Sequence, residues 1–155
     1  MYGDKGLAGG MSWYKSADRK PSVVFRPYEP PAQEPSAEFP FWFCTGRLLE
    51  HWHTGTMTRR VEELDRALPE ALLSMNPDDA AALGVNDGDL VQLTSPHGTM
   101  QIKVSLAGRV EPPSGMVFAP FFAAETLINR VVQDYYCPLS KETDYKKTCV
   151  SIKKA

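Results

Sequence analysis

Turn-forming chemistry interrupts this chain at short intervals, and that punctuation limits it to short elements. Pro69, Asn76-Pro77, Gly84, Asn86-Asp87-Gly88-Asp89, Ser95-Pro96-His97-Gly98 and Pro112-Pro113-Ser114-Gly115 follow one another with only strand-length or two-turn stretches between them. Gly and Pro stop helices and strands, and Asn, Asp and Ser side chains close turns on their own backbone. A doubly wound sheet needs strands alternating regularly with crossover helices, and no such regularity is present. The pattern predicts a mainly β fold with short helices, closed or nearly closed into a barrel.

Within that frame the elements are readable. Phe39-Pro40-Phe41-Trp42-Phe43-Cys44 is an apolar aromatic run of strand composition that delivers its end to Thr45-Gly46-Arg47. Thr58 to Leu68 places Val61, Leu64 and Leu68 three and four apart, which predicts an amphipathic helix stopped near Pro69. Ala71 to Met75 reads as a strand. Asn76 caps a helix with Pro77 at its first position, acids in its first turn and Gly84 at its end. Leu90 to Thr94 and Thr99 to Ser105 form a hairpin, Met116 to Phe122 a strand, Ala124 to Val132 a helix, and Lys147 to Lys153 a returning strand.

The N-terminal part differs in kind. Residues 1–21, with Gly3, Gly6, Gly9 and Gly10, read as a loosely ordered lead, followed by a strand at Ser22 to Arg26. Pro27, Pro30, Pro31, Pro35 and Pro40 then make residues 27–40 a semi-rigid extended connector. The folded domain is expected over residues 22–155, connector included. At 155 residues and 17.2 kDa one core is affordable, with roughly two-thirds of the unfolded surface buried.

Charge and cysteine usage narrow the function. A formal charge of −2 gathers no phosphate backbone, so no nucleic-acid partner is expected. No apolar run approaches the roughly 18 residues of a membrane span, and the N-terminus lacks an export-signal pattern, so neither anchor nor leader is expected in this chain. Cys44, Cys137 and Cys149 stand far apart, which fits neither a disulfide framework nor an iron-sulfur or zinc site. No nucleophile-elbow serine or phosphate-loop motif occurs.

The densest polar chemistry is Thr45-Gly46-Arg47-Leu48-Leu49-Glu50-His51-Trp52-His53-Thr54, continued by Gly55-Thr56-Met57-Thr58-Arg59-Arg60. A glycine at a strand end lets a ligand approach the backbone, hydroxyls and amides suit phosphate oxygens, and Arg47 can fork onto an anion. The alternative is an ordinary turn in which His51 and His53 are surface or capping residues. A zinc site on both histidines lacks a third ligand nearby in sequence. Asp87 and Asp89 read as turn formers, His97 as a hairpin residue, and Lys141 to Lys147 as a solvated mixed-charge surface, with a lysine on a ligand phosphate the sharper reading.

CTGRLLEHWHTGTMTRR, NPDDAAALGVNDGD, FAPFFAAETLINRVV and PLSKETDYKK, in that order, resemble the C-terminal domain of the catalytic subunit of periplasmic nitrate reductases, within the molybdopterin-dependent oxidoreductases. The resemblance runs from about Val24 to the C-terminus; the N-D-G-D turn recurs across the superfamily, whereas the T-G-R-x-L-E-H-W-H string is narrower. It implies a double-psi β-barrel of the aspartate-decarboxylase-like kind that clamps bis(molybdopterin guanine dinucleotide) with molybdenum. It assigns Thr45, Gly46, Arg47, Leu48, Leu49, Glu50, His51, Trp52, His53 and Thr54 to a cofactor loop, adds Asn129 and Lys146, and puts Phe121 on the substrate side. It assigns this chain no catalytic residue and no metal ligand.

The resemblance further implies a 4Fe-4S cluster and the protein ligand of molybdenum in regions outside this chain. It implies reduction of nitrate to nitrite, the remaining domains of the catalytic subunit and a c-type cytochrome as partners, and a periplasmic location. Ala123 stands where relatives commonly carry aspartate, and Tyr135-Tyr136-Cys137 replaces a more polar segment. Two other readings compete: the cofactor domain of a formate dehydrogenase-like enzyme, and a free-standing double-psi barrel serving as an interaction module.

Overall fold

The computed structural model describes Val23, Phe25, residues 27–138 and residues 140–155. The expected loose lead at 1–21 lies outside the described residues, as does most of the expected strand at Ser22 to Arg26; Val23 and Phe25 are exposed and belong to no strand.

Six strands close into a barrel: β1 (Phe41–Gly46), β2 (Leu73–Met75), β3 (Leu90–Ser95), β4 (Gly98–Ser105), β5 (Met116–Pro120) and β6 (Thr148–Lys154). Around the barrel they run β1-β5-β2-β4-β3-β6. Two neighbouring pairs are parallel, β1 with β5 and β2 with β4, and the other four are antiparallel. A simple up-and-down meander cannot produce parallel neighbours, because these need crossover connections. The crossed, closed arrangement is that of a double-psi β-barrel. β6 closes it by changing partners, pairing with β1 through Val150 and with β3 from Ser151 onward.

Side chains alternate across each strand, so one face of every strand supplies the core. Phe43, Leu73, Met75, Val91, Leu93, Val104, Val117 and Val150 are all at most 1% exposed and belong to one cluster. β1 begins after Pro40 rather than at Phe39, because proline lacks a ladder donor and the Phe39 N–H donates to Ser36 Oγ in a local turn. The connector is fastened to the barrel by Gln33, whose Oε1 accepts the Cys149 N–H at 3.1 Å while its Nε2 lies 2.9 Å from His97 Nε2.

Among the described residues two α-helices flank the barrel, α1 (Glu62–Ala67) and α2 (Pro77–Leu83). In α2 the Asn76 side chain accepts the Asp78 N–H and Gly84 ends the helix at φ +66°, as its sequence predicts. Asp79 fastens α2 to the turn before β5, accepting from Ser114 Oγ at 2.6 Å and Gly115 N at 2.7 Å.

Two helix expectations are corrected. Thr58 to Leu68 is not continuous: Thr58–Arg60 is a 3-10 turn, Val61 is extended, and α1 starts after it. Thr58 and Arg59 are drawn into tertiary hydrogen bonds that a continuous helix would not allow. Ala124 to Val132 contains only a 3-10 turn, Ile128–Arg130. Ile128, Val131 and Val132 are buried at the expected spacing, but the residues before them run along a cleft instead of coiling.

Asn86-Asp87-Gly88-Asp89 is a turn in which both aspartates are committed. Asp87 accepts from Leu106 N at 2.7 Å; Asp89 accepts from Asn86 N at 2.8 Å and pairs with Lys154 Nζ at 2.6 Å. The Lys154 bond, followed by the Asn86 amide, holds the Asp89 carboxyl below its ordinary 3.8. A carboxyl lowered by folding stabilises the fold above that value and ceases to do so as pH falls through its folded pKa. Asp89→Asn is therefore expected to lower Tm at neutral pH, with the variant and parent curves converging as pH falls through the lowered Asp89 pKa in a calorimetric pH series. A gap that stays constant through the acid range would refute this.

Candidate functional site

The barrel's parallel pairing explains where the site lies. β1 and β5 run side by side with Gly46 opposite Pro120, so the loops that follow them leave the same end of the barrel together. β6 runs antiparallel to β1 with Thr148 opposite Phe43, so the residues that precede it arrive at that same end. Three segments remote in sequence thus enclose one cleft of about 890 Å³, within the usual size range of small-molecule and cofactor sites.

Thr45, Gly46, Arg47, His53, Thr54, Phe121, Asn129 and Lys146, all singled out from the sequence, line this cleft. Thr45 and Lys146 also join its walls: the buried Thr45 hydroxyl donates to the Tyr145 carbonyl at 3.0 Å, and Lys146 Nζ donates to the Thr45 carbonyl at 2.7 Å. The ammonium keeps further donors for an anion. Arg47 is exposed, its guanidinium 5.9 Å from the ring centres of both Trp52 and Phe121. Among the described residues no carboxylate forms a salt bridge with it. His53 sits at φ +53°, uncommon for a residue with a Cβ, and meets Phe121 edge-on at 5.3 Å.

The other members of the sequence-predicted loop point elsewhere. Leu48 packs against Ala71, Phe122 and Ala123, Leu49 is 87% exposed, and Glu50 pairs with Arg109 at 2.5 Å. Trp52 is 64% exposed beside Arg47. His51 is buried, within hydrogen-bonding distance of Leu68 and Thr58, so the two histidines face different surroundings. Gly46 has a packing role besides any ligand: a Cβ there would lie 2.6 Å from Phe118 Cε2. Next to Asn129 the backbone packs tightly on the β3–β4 hairpin, because a Cβ on Gly98 would collide with the Arg130 carbonyl oxygen.

Sequence reasoning missed part of the lining. Thr56, from the continuation of the polar string, faces the cleft, and so do Ala124, Thr126 and the run Glu142 to Tyr145, which were given no site role. The mixed charges of 141–147 read as ordinary surface, and only the return of the chain to β6 brings them to the site. Arg59, named in the polar string but given no role, donates to Asp65 at 3.0 Å, Glu125 at 3.1 Å and the Pro69 carbonyl at 3.4 Å. Its pKa is raised, chiefly by the Asp65 bond, and Glu125 is lowered by its own backbone N–H and then by Arg59.

A closed double-psi barrel with a cleft of mixed apolar and polar lining at the ends of its parallel strands β1 and β5 defines a domain with a concave ligand site. Sequence comparison makes the class particular: residues 41–150 match the family described as molydopterin dinucleotide binding domain, and the chain belongs to that family, within the molybdopterin oxidoreductase superfamily. Among solved structures it is similar to the acetylene hydratase from Pelobacter acetylenicus, with a TM-score of 0.65 and 16% identity over 76% of this chain. The chain spans 18% of the length of that protein, and the likeness is one of fold. The rationally designed mkDPBB_sym_86 protein also matches, with a TM-score of 0.41 and 15% identity over 79% of this chain and 99% of its own.

Proposed function

We propose that this domain holds and orients bis(molybdopterin guanine dinucleotide) in a molybdenum-dependent nitrate reductase. The observation that carries this reading is the donor set of the cleft. An exposed guanidinium that has no salt-bridge partner among the described residues lies 5.9 Å from each of two aromatic ring centres, with Thr54, Asn129 and the Lys146 ammonium around the same space. That set suits a ligand combining a pyrophosphate with flat heteroaromatic groups.

Each residue then has a distinct task. Arg47 forks onto phosphate oxygens, while Lys146 adds a compact charge without a fixed orientation. Asn129 offers both a donor and an acceptor to a heterocycle edge. Thr54 and Thr56 supply hydroxyls to the same groups. Phe121 walls the cleft and limits water, on the side where nitrate would enter. When bound, the cofactor supplies the two-electron chemistry that converts nitrate to nitrite. The 4Fe-4S cluster, the metal's protein ligand and the remaining domains belong to the rest of the enzyme, with a c-type cytochrome as donor and the periplasm as location. The T-G-R-L-L-E-H-W-H string supports the nitrate branch over a formate dehydrogenase-like enzyme or a free-standing interaction module.

The test is to purify the complete polypeptide that carries this domain from its source and measure molybdenum, GMP released by acid hydrolysis, and nitrate reduction with a reduced viologen. The expected result is molybdenum and GMP in a fixed ratio together with nitrite formation. The 155-residue chain by itself should reduce no nitrate. Molybdenum and GMP with activity on formate only would overturn the nitrate reading, and a chain found alone without either would overturn the cofactor reading.

A further inference from the structure

His51 and His53 are alternate residues of one loop, yet only His53 faces the cleft. His51 is 2% exposed, and its Nε2 lies 2.7 Å from the Leu68 carbonyl oxygen. A carbonyl only accepts, so the hydrogen-bond network puts the ring proton on Nε2 and leaves Nδ1 as an acceptor. Nδ1 is 3.2 Å from Thr58 Oγ1, and that oxygen accepts the Trp52 N–H at 3.1 Å. One arrangement satisfies the whole chain: Trp52 N–H donates to Thr58, the Thr58 hydroxyl donates to His51, and His51 donates to Leu68.

The opposite side of this network is Phe122, 3% exposed, with the His51 ring 4.2 Å away at 33° and the Arg59 guanidinium 5.8 Å from its centre. Arg59 runs past Gly55, where a Cβ would lie 3.0 Å from its Cγ and where φ is +73°. It then donates to Asp65 in α1, to the Pro69 carbonyl and to Glu125 in the loop after β5. Phe122 is thus gripped by the loop after β1, while its neighbour Phe121 is turned toward Arg47 and His53. The two loops that form opposing parts of the cleft meet through this buried cluster.

We infer that His51, Thr58 and Arg59 are positioning residues: clasped on Phe122, they set the two cleft loops relative to each other and thereby the retention of the cofactor, without contacting it. This rests on the cofactor reading above. It separates His51 and His53, which the sequence presents as equivalent, into a structural clasp and a cleft residue.

Thr58→Val, which preserves shape and removes the hydroxyl, is the decisive variant, with Thr58→Ser as its rescue. In the 155-residue chain, nitrogen-15 NMR of the imidazoles should show His51 as the Nε2–H tautomer. Amide exchange at Trp52 should quicken in Thr58→Val and stay at the parental rate in Thr58→Ser. In the complete enzyme, Thr58→Val should lose GMP-containing cofactor roughly tenfold faster, the effect of about one hydrogen bond, and Thr58→Ser should retain it. An Nδ1–H His51, or unchanged Trp52 exchange in Thr58→Val, overturns the clasp. Faster exchange with unchanged GMP retention overturns its link to the cofactor. If the parental enzyme contains no GMP, the functional reading fails instead, and the tautomer and exchange data still decide whether the clasp exists.

Discussion

Phe43→Ala is expected to destabilise the domain by about 3–5 kcal/mol, enough to remove much of the stability of a domain this size. Phe43 is 0% exposed in the middle of β1, opposite Val117 of β5 on one side and Thr148 of β6 on the other. Removing its ring deletes apolar contacts and leaves a cavity. Closed ladders hold both neighbouring strands, so the surroundings cannot collapse far into that space. Phe43→Leu keeps most of the volume and should cost under about 1.5 kcal/mol. Urea denaturation of the two variants gives the comparison. Equal losses, or a loss under about 1 kcal/mol for the alanine, would mean that the core does not close around this side chain.

Arg47→Ala should have the opposite signature, with intact folding and a poorly held cofactor. The side chain is exposed and forms none of the salt bridges among the described residues, so thermal unfolding of the chain should be unchanged within about 1 °C. Losing a charge-assisted bond to phosphate, worth about 1.5–3 kcal/mol, should weaken dinucleotide binding roughly tenfold to a hundredfold. Arg47→Lys should fall between, because an ammonium keeps the charge but not the planar fork. The check is GMP per molybdenum after washing the complete enzyme at raised salt. Full retention in Arg47→Ala would remove this residue from the cofactor's holders.

Much of the fold was legible because its signals are local. The Asn76 cap, Pro77, Gly84 and the Asn86 to Asp89 turn act on residues within a few positions, and the structure places them as read. The hairpin of β3 and β4 is equally local, with Ser95 opposite Gly98. The readings that failed depended on distant partners. Thr58 to Leu68 has helical spacing, but Thr58 bonds His51 and Arg59 bonds Glu125, and these contacts break the helix at Val61. Ala124 to Val132 has helical composition, but its first half is used as cleft wall.

The same division holds for the candidate site. Its polar residues could be named from the string after β1, and the resemblance added Phe121, Asn129 and Lys146. That Lys146 meets the Thr45 carbonyl, 101 residues away, could not be read from either segment. By itself the sequence determined the short strands, the capped helix, the turns and the residue types available for a cofactor, because each follows from backbone sterics and periodicity over a few residues. Only the tertiary structure decided which strands became parallel neighbours, and therefore which loops share one end of the barrel. It likewise decided that His53 faces the cleft while His51 is buried under it, because burial is set by what packs from elsewhere in the chain.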